Sequence, residues 1–412
     1  MRKLSVFFLL WFLFWGQLNF LPLVSSIDEI LGIFSYMYVI VYWRKLSLYE
    51  KRLVALCFLL LFIGVAGNFI HGYLTAAFPI GLDFLQCTKV FVVFVASNHF
   101  VGMMSETKKK SVLRKLVLIA GLYIIVAFCC AIVNFFVNIG MSADVRMGFR
   151  CFKFYYGNAG GFSNSLYLII LIFLAYGRFF RSKCLLKMFL FMSMVSWALT
   201  FRSRGFLFIL IFLLLYYLIV VRKKELKVKV WSVIVLVLFS LYVTADQIDV
   251  YFNNENMPRA VLLRNGVQTM ERFFPIGAGF GTYGTDVAVK YYSNLYKELG
   301  FDDRWGFTPD NPIFALDSYW PAVFGQFGAI GVLIFLGMLY YWYKLIQKNK
   351  KREAYCNLAA LFIIITQVFS SIATSVFFSP NTVVLFFFLP LLNDIYNNSS
   401  VFDNRKKITG NV

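Results

Sequence analysis

Charged residues are scarce in this chain. Only 15% of its 412 residues are charged, whereas 60% are hydrophobic. A water-soluble chain of this length could not bury so much apolar surface, so the composition excludes an ordinary soluble domain. The sequence therefore predicts a protein whose partner is a lipid bilayer.

Residues that bind metals or nucleotides are also few. His71 and His99 are the only histidines and lie far apart, and the seven cysteines show no Cys/His ligand spacing. Asp302 and Asp303 lack a third carboxylate at a useful distance. Only Cys151 falls in a segment predicted to face outward, which excludes a disulfide framework there. There is no Walker loop or dinucleotide fingerprint, so we predict no metal and no other cofactor.

Long apolar runs are what the chain does contain. A membrane-spanning helix needs about 20 apolar residues, and twelve runs approach that length, the second being short. They cover 4–24, 30–43, 53–70, 80–104, 116–138, 163–177, 184–201, 205–221, 230–246, 318–343, 357–376 and 381–396. The predicted fold is therefore all-α: one polytopic membrane domain over 1–412 with about twelve transmembrane helices.

Basic residues outnumber acidic ones, 40 to 20, and most of them fall in every second loop. These loops are 44–52, 108–115, 178–187, 222–229 and 344–352. Short loops rich in Lys and Arg stay in the cytoplasm, so both termini, which are also basic, are predicted to be cytoplasmic. The positive charge thus reflects topology and gives no reason to expect a nucleic-acid partner.

The first apolar run has an alternative interpretation as a secretory signal. Arg2 and Lys3 precede it, and Val24-Ser25-Ser26 offers small residues after it. Its removal would leave the orientation of the other spans unchanged.

One long loop, residues 247–316, separates the ninth and tenth spans on the outer side. Loops of this length are usually functional. Pro258 predicts the start of a helix that ends before Pro275. In that helix Arg264, Gln268 and Arg272 recur every four residues and share one stripe, which predicts an amphipathic helix along the membrane surface.

Three glycines follow the helix, in the segment Pro-Ile-Gly-Ala-Gly-Phe-Gly. Gly277, Gly279 and Gly281 allow either tight turns or the close approach of a ligand to the backbone.

Arginines also lie in the shorter outer loops. Arg202 and Arg204 flank a serine in the hairpin between spans seven and eight, and the outer loop 139–162 carries Asp144. A guanidinium binds phosphate oxygens in a bidentate manner. The alternatives are contact with lipid headgroups and pairing with Asp144 or Glu271.

Lys89 lies inside the fourth span, almost two helical turns from Asp83. An ammonium at such a position faces either a polar cavity or an ion-pair partner.

These features together resemble the bacterial O-antigen polymerase and ligase group, specifically the Wzy-type polymerases. The resemblance covers residues 195–335. It rests on Arg-Ser-Arg-Gly at 202–205, the loop helix with its glycines, Asp317-Ser318-Tyr319-Trp320, and the glycines of 325–331 at the start of span ten. Ligases of the group typically carry a His-Asn pair where this chain has Asp317-Ser318, which favours a polymerase.

The resemblance implies glycosyl transfer on the outer face of the bacterial inner membrane. Donor and acceptor would both be glycans on undecaprenyl pyrophosphate, and a chain-length regulator is a possible further partner. Arg202, Arg204 and Arg264 would stabilise the leaving pyrophosphate without a metal. Asp317 would serve as general base, or else cap the helix of span ten.

Other residues are predicted to contact the substrate. Lys89, Arg272 and the three glycines line the expected path, and aromatic rings can bind sugars or anchor the protein at the interface. The aromatic candidates are Tyr283, Tyr291, Tyr292, Tyr296, Trp305 and Tyr319.

Proteins with two other functions have a similar arrangement of membrane spans. A ligase would attach finished polymer, and a flippase would move lipid-linked sugars by rocking two repeated halves. A receptor or structural protein gives no reason for arginines beside a glycine-rich outer loop.

Overall fold

The computed structural model describes residues 2–18, 26–146, 148–180, 182–223, 257–347 and 354–394. The predicted span 230–246 and the start of the long outer loop lie outside these residues. Within them the chain is mostly helical, with one short β-hairpin.

Nine helices and the hairpin precede the glycine-rich segment in the described part of the chain. They are α1 (Arg2–Leu18), α2 (Ile27–Val41), α3 (Leu48–His71), α4 (Ala77–Gly102), α5 (Glu106–Phe136), β1 (Ser142–Arg146), β2 (Phe149–Phe152), α6 (Ala159–Ala175), α7 (Lys183–Ala198), α8 (Ser203–Tyr216) and α9 (Pro258–Arg272). A π-helical turn, Tyr217–Val221, extends α8.

The remaining described helices complete the loop and the last spans. They are α10 (Asp286–Lys290), α11 (Asn294–Glu298), α12 (Tyr319–Gln347), α13 (Ala354–Ala373) and α14 (Pro380–Asp394). A helix thus lies in each of the predicted runs other than 230–246, although residues 19–24 of the first run and 395–396 of the last lie outside the described residues.

Six helices are long and apolar enough to cross a membrane: α3, α4, α5, α8 with its extension to Val221, α12 and α13. Ser5–Phe14, Ala159–Ala175 and Pro380–Leu392 are apolar but shorter. The described residues therefore contain half the number of full-length spans that the sequence predicts.

Apolar side chains cover much of the outside of the bundle. Phe34 and Val41 on α2 are 63% and 76% exposed, and Leu122 on α5 is 68% exposed. Soluble monomers rarely expose such continuous apolar surface. These outward faces fit contact with lipid tails.

Helix α4 forms the centre of the bundle. It is buried along most of its length and packs against α2, α3 and α14. Helix α12 packs against α3 on one side and α9 on the other. Its backbone is non-helical at Gly328, where φ is 58° and ψ is −157°.

The long outer loop folds around a small apolar core of its own. Leu262, Tyr283, Tyr296 and Phe301 are among the side chains buried there. Helix α9 has the predicted bounds, since Pro258 occupies its first turn and it ends at Arg272. Its predicted stripe is exposed, and Val261 and Leu262 on the other side are buried.

Candidate functional site

A cavity of about 190 Å³ opens where the ends of several helices meet. Its walls come chiefly from the first turns of α6, α8 and α14 and from the last turns of α7 and α13, with Phe12 of α1. These are the ends that the sequence predicts on the outer side. Helices distant in sequence thus converge on one site.

The cavity wall is rich in uncharged hydrogen-bonding groups. Ser163 and Asn164 come from α6, and Ser375, Ser379 and Asn381 come from the polar turn between α13 and α14. Asn164 and Asn381 make no side-chain hydrogen bond to any described residue, so their amides are available to a bound molecule. Aromatic side chains, Tyr167 and Trp197 among them, supply the apolar part of the wall.

Arg204 is the one charged side chain among the described residues that line the cavity. It lies in the first turn of α8, and its Nη1 donates to Thr374 Oγ1 at 3.4 Å. Gly205 follows it, and a Cβ there would lie 3.1 Å from Trp197 Cδ1. The glycine thus lets α8 begin close to α7, which brings Arg204 to the wall.

Two more arginines raise the positive potential at Arg204. The charges of Arg259 and Arg202 both act on its guanidinium. Arg202 precedes α8, and Arg259 comes from the first turn of α9 in the outer loop. Such a cluster favours an anion in the cavity.

Asp317 is joined to this cluster through Arg259, whose Nε lies 3.8 Å from Asp317 Oδ2. Partial burial raises the pKa of Asp317, and the charge of Arg259 offsets part of that rise. Its side chain is still 43% exposed. A carboxylate that is accessible and more basic than usual is suited to accept a proton.

Two predicted site arginines lie apart from the cavity. Arg264 is exposed on α9 and, being five residues after Arg259, points about 140° around the helix from it. Arg272 Nη1 pairs with Glu298 Oε2 at 2.7 Å, and Tyr73 donates to the same carboxylate. That pair lowers the pKa of Glu298, chiefly through the hydrogen bond from Arg272.

The three predicted glycines pack the outer loop onto the bundle. All have positive φ, at 73°, 97° and 66°. Gly279 N donates to Gln326 O at 2.8 Å, beside the break in α12, and Gly281 N donates to Asp83 Oδ2 at 2.7 Å. A Cβ on Gly277 would lie 2.5 Å from Gly328 N. Gly277 and Gly279 approach the backbone of α12 and α3, whereas a Cβ on Gly281 would meet the side chains of Leu74 and Val287. The amides of all three glycines donate to other protein groups.

Asn68 fixes the middle of this segment. Its Nδ2 donates to Phe280 O, and its Oδ1 accepts from Phe280 N, both at 2.8 Å. The Asn68 side chain thus satisfies both the N–H and the C=O of Phe280, as a neighbouring β-strand would.

Lys89 is buried against acidic residues at the start of α2. Its Nζ pairs with Asp28 and lies 3.0 Å from Glu29 Oε1. Gln86, one turn away on α4, donates to Asp286 of the outer loop at 2.6 Å. This face of α4 therefore contacts both α2 and the loop. Of the two interpretations of Lys89, the structure shows the ion pair.

Tyr319 is fully buried at the start of α12. Its ring packs against Phe335, Phe377 and Phe378 at centroid distances of 5.6, 5.2 and 4.8 Å. It lies behind the site and not on its surface. Of the other aromatic candidates, Tyr283 and Tyr296 are buried in the loop core, whereas Trp305 is 71% exposed.

The sequence prediction did not include Arg259, Asn164 or Asn381. One available signal was position, because Asn164 and Asn381 lie at the predicted outward ends of the apolar runs 163–177 and 381–396. The turn Thr-Ser-Val-Phe-Phe-Ser-Pro-Asn at 374–381 also concentrates polar residues between two spans. Arg259 lies in the same predicted helix as Arg264 but on the side that faces the bundle.

No group of three or more His, Cys, Asp or Glu side chains in the described ranges could hold a metal ion. Comparison with protein-family models and with curated proteins gave no match to this chain.

Proposed function

We propose that this chain is a membrane glycosyltransferase that polymerises lipid-linked oligosaccharide repeat units at the outer face of the bacterial inner membrane. One observation carries the proposal: Arg204 lies in a cavity whose other polar residues, among those described, are neutral hydroxyl and amide groups. The proposal includes about twelve spans and cytoplasmic termini.

The lining of this cavity suits both the sugar and the pyrophosphate of a lipid-linked glycan. Sugar hydroxyls donate and accept hydrogen bonds, and the amides of Asn164 and Asn381 can do the same in return. A phosphate requires a cation, which Arg204 supplies with Arg202 and Arg259 nearby. The resemblance of residues 195–335 to Wzy-type polymerases supports the same substrate.

The chemistry requires one bond to break and one to form. An acceptor hydroxyl on the incoming repeat unit attacks the anomeric carbon of the growing chain, and the bond from that carbon to the pyrophosphate oxygen breaks. Asp317 takes the hydroxyl proton. Arg204 stabilises the charge that develops on undecaprenyl pyrophosphate.

The surface glycan of a strain deleted for this gene tests the proposal. Wild-type protein should restore a long ladder on a gel, and Arg204→Ala should leave single repeat units although the protein is still in the membrane. Arg204→Lys should rescue poorly because an ammonium cannot bind phosphate in a bidentate manner. Arg222→Ala, at the opposite end of α8, is the matched control and should restore the ladder.

Two outcomes would replace the proposal with its alternatives. Complete polymer that accumulates on its lipid carrier in the deleted strain would indicate a ligase. Repeat units that never reach the outer face would indicate a flippase.

A further inference from the structure

The turn that carries Arg202 has an unfavourable backbone conformation. Phe201 has a φ of +46°, in the left-handed region that bulky residues rarely adopt. This residue is the last of three, 199–201, that lie between the end of α7 and Arg202. Neighbouring contacts must therefore hold the turn in place.

The β-hairpin formed by β1 and β2 makes those contacts. Phe152 N donates to Leu199 O at 2.9 Å. The rings of Phe149 and Phe201 stack almost in parallel, with centroids 5.0 Å apart and planes 3° apart. The hairpin thus binds the turn through both backbone and side chain.

The hairpin is itself fixed to the end of α5. Arg150 Nη2 donates to Asn134 O at 3.1 Å and to Phe135 O at 3.0 Å. Phe135 also stacks on Phe149, at 6.1 Å. A continuous set of contacts therefore runs from α5 through the hairpin to Arg202.

Asp144 on β1 supplies the electrostatic contact. Its Oδ1 lies 3.4 Å from Arg202 Nη2, and its Oδ2 lies 2.8 Å from Arg146 Nε. The hydrogen bond from Arg146 and the charge of Arg202 lower the pKa of Asp144, which keeps it ionised. Arg202 Nε, by contrast, is buried and has no hydrogen-bond partner among the described residues.

We propose that the hairpin positions Arg202 for the substrate, with Phe149 and Asp144 as the positioning residues. Asp144 engages Nη2 of the guanidinium at 3.4 Å, which fixes the direction in which Arg202 presents its charge to a phosphate of the lipid carrier. The inference rests on the proposed function and adds residues outside the cavity that set the geometry of its arginine cluster.

The test is a rate assay with purified protein in lipid vesicles and undecaprenyl-pyrophosphate-linked repeat units extracted from the deleted strain. Phe149→Ala should lower kcat about tenfold with little change in KM, which is a loss of about 1.4 kcal/mol of transition-state stabilisation. Phe149→Trp should keep the stacking and most of the rate. Asp144→Asn should lower kcat in the same way. Val145→Ala, at a hairpin side chain that is 67% exposed, is the control.

A double-mutant cycle separates positioning from a general structural role. In an Arg202→Ala background, Phe149→Ala should lower kcat no further, because both changes remove the same interaction. An equal tenfold loss in that background would overturn the inference, as would a normal kcat in Phe149→Ala and Asp144→Asn. Wild-type protein that forms no polymer would overturn the proposed function and this inference together.

Discussion

Replacing Gly279 by alanine tests the docking of the outer loop onto α3. At a φ of 97° a side chain is strained, which costs about 1–2 kcal/mol. The new Cβ would lie 2.4 Å from Asn68 N and 2.6 Å from Asn68 Cγ. Displacing Asn68 breaks its two hydrogen bonds to Phe280, and each is worth about 1 kcal/mol. We expect a total loss of about 3–4 kcal/mol.

Two other glycines separate these contributions. Gly300 has a φ of 67° but open space around it, so Gly300→Ala should show the backbone strain alone. Gly81 has open space and lies inside α4, so Gly81→Ala should be neutral or stabilising by up to about 1 kcal/mol.

Thermal unfolding in detergent measures all three variants. Once the exposed or partly exposed Cys129, Cys130 and Cys184 are replaced by serine, a thiol-reactive fluorophore reports unfolding because Cys57 and Cys87 are fully buried in the folded bundle. Gly279→Ala should unfold at the lowest temperature and Gly81→Ala at the highest. If Gly279→Ala and Gly300→Ala unfolded at the same temperature, the predicted clash with Asn68 would be absent and the docking of the loop would be wrong.

Three further predictions use similar measurements. Lys89→Met should destabilise the protein by about 3–5 kcal/mol because it leaves the carboxylate of Asp28 buried without a cation, and adding Asp28→Asn should restore part of the melting temperature. As the pH is lowered, the polymerisation rate should begin to fall above the usual titration range of an aspartate, because the pKa of Asp317 is raised and the base is active only when deprotonated. Asp317→Asn should abolish polymerisation, and a persistent rate in that variant would exclude this base. Arg272→Ala should change stability by less than about 1 kcal/mol, because its pair with Glu298 is about half exposed, and a larger shift in melting temperature would show that the pair anchors the loop.

The helices could be predicted from sequence because each apolar run supplies its own signal. Helix α9 was predicted with correct bounds for a local reason as well, since prolines stand at its first turn and shortly beyond its end. The lengths of the helices were predicted less well than their positions. The segments Ala159–Ala175 and Pro380–Leu392 are apolar but shorter than a full span, and polar residues near their first turns line the cavity.

Partners distant in sequence could not be predicted. The carboxylates that pair with Lys89 lie about sixty residues before it on another helix, and no periodicity connects the two. The glycines were predicted to allow tight turns or the close approach of a ligand, whereas in the structure Gly277 and Gly279 approach the backbone of α12 and α3. Arg204 could be predicted as a site residue because its own hairpin carries a second arginine. Asn381 could not, because it comes to the same cavity from the far end of the chain.

The release of undecaprenyl pyrophosphate by the purified protein tests the central role of Arg204 most directly. Wild-type protein in vesicles, supplied with lipid-linked repeat units, should release one undecaprenyl pyrophosphate for each glycosidic bond formed. Arg204→Ala should release almost none, while Arg222→Ala should match the wild type. Equal release by Arg204→Ala and wild-type protein would contradict the account, because the leaving pyrophosphate would then not depend on the cavity arginine.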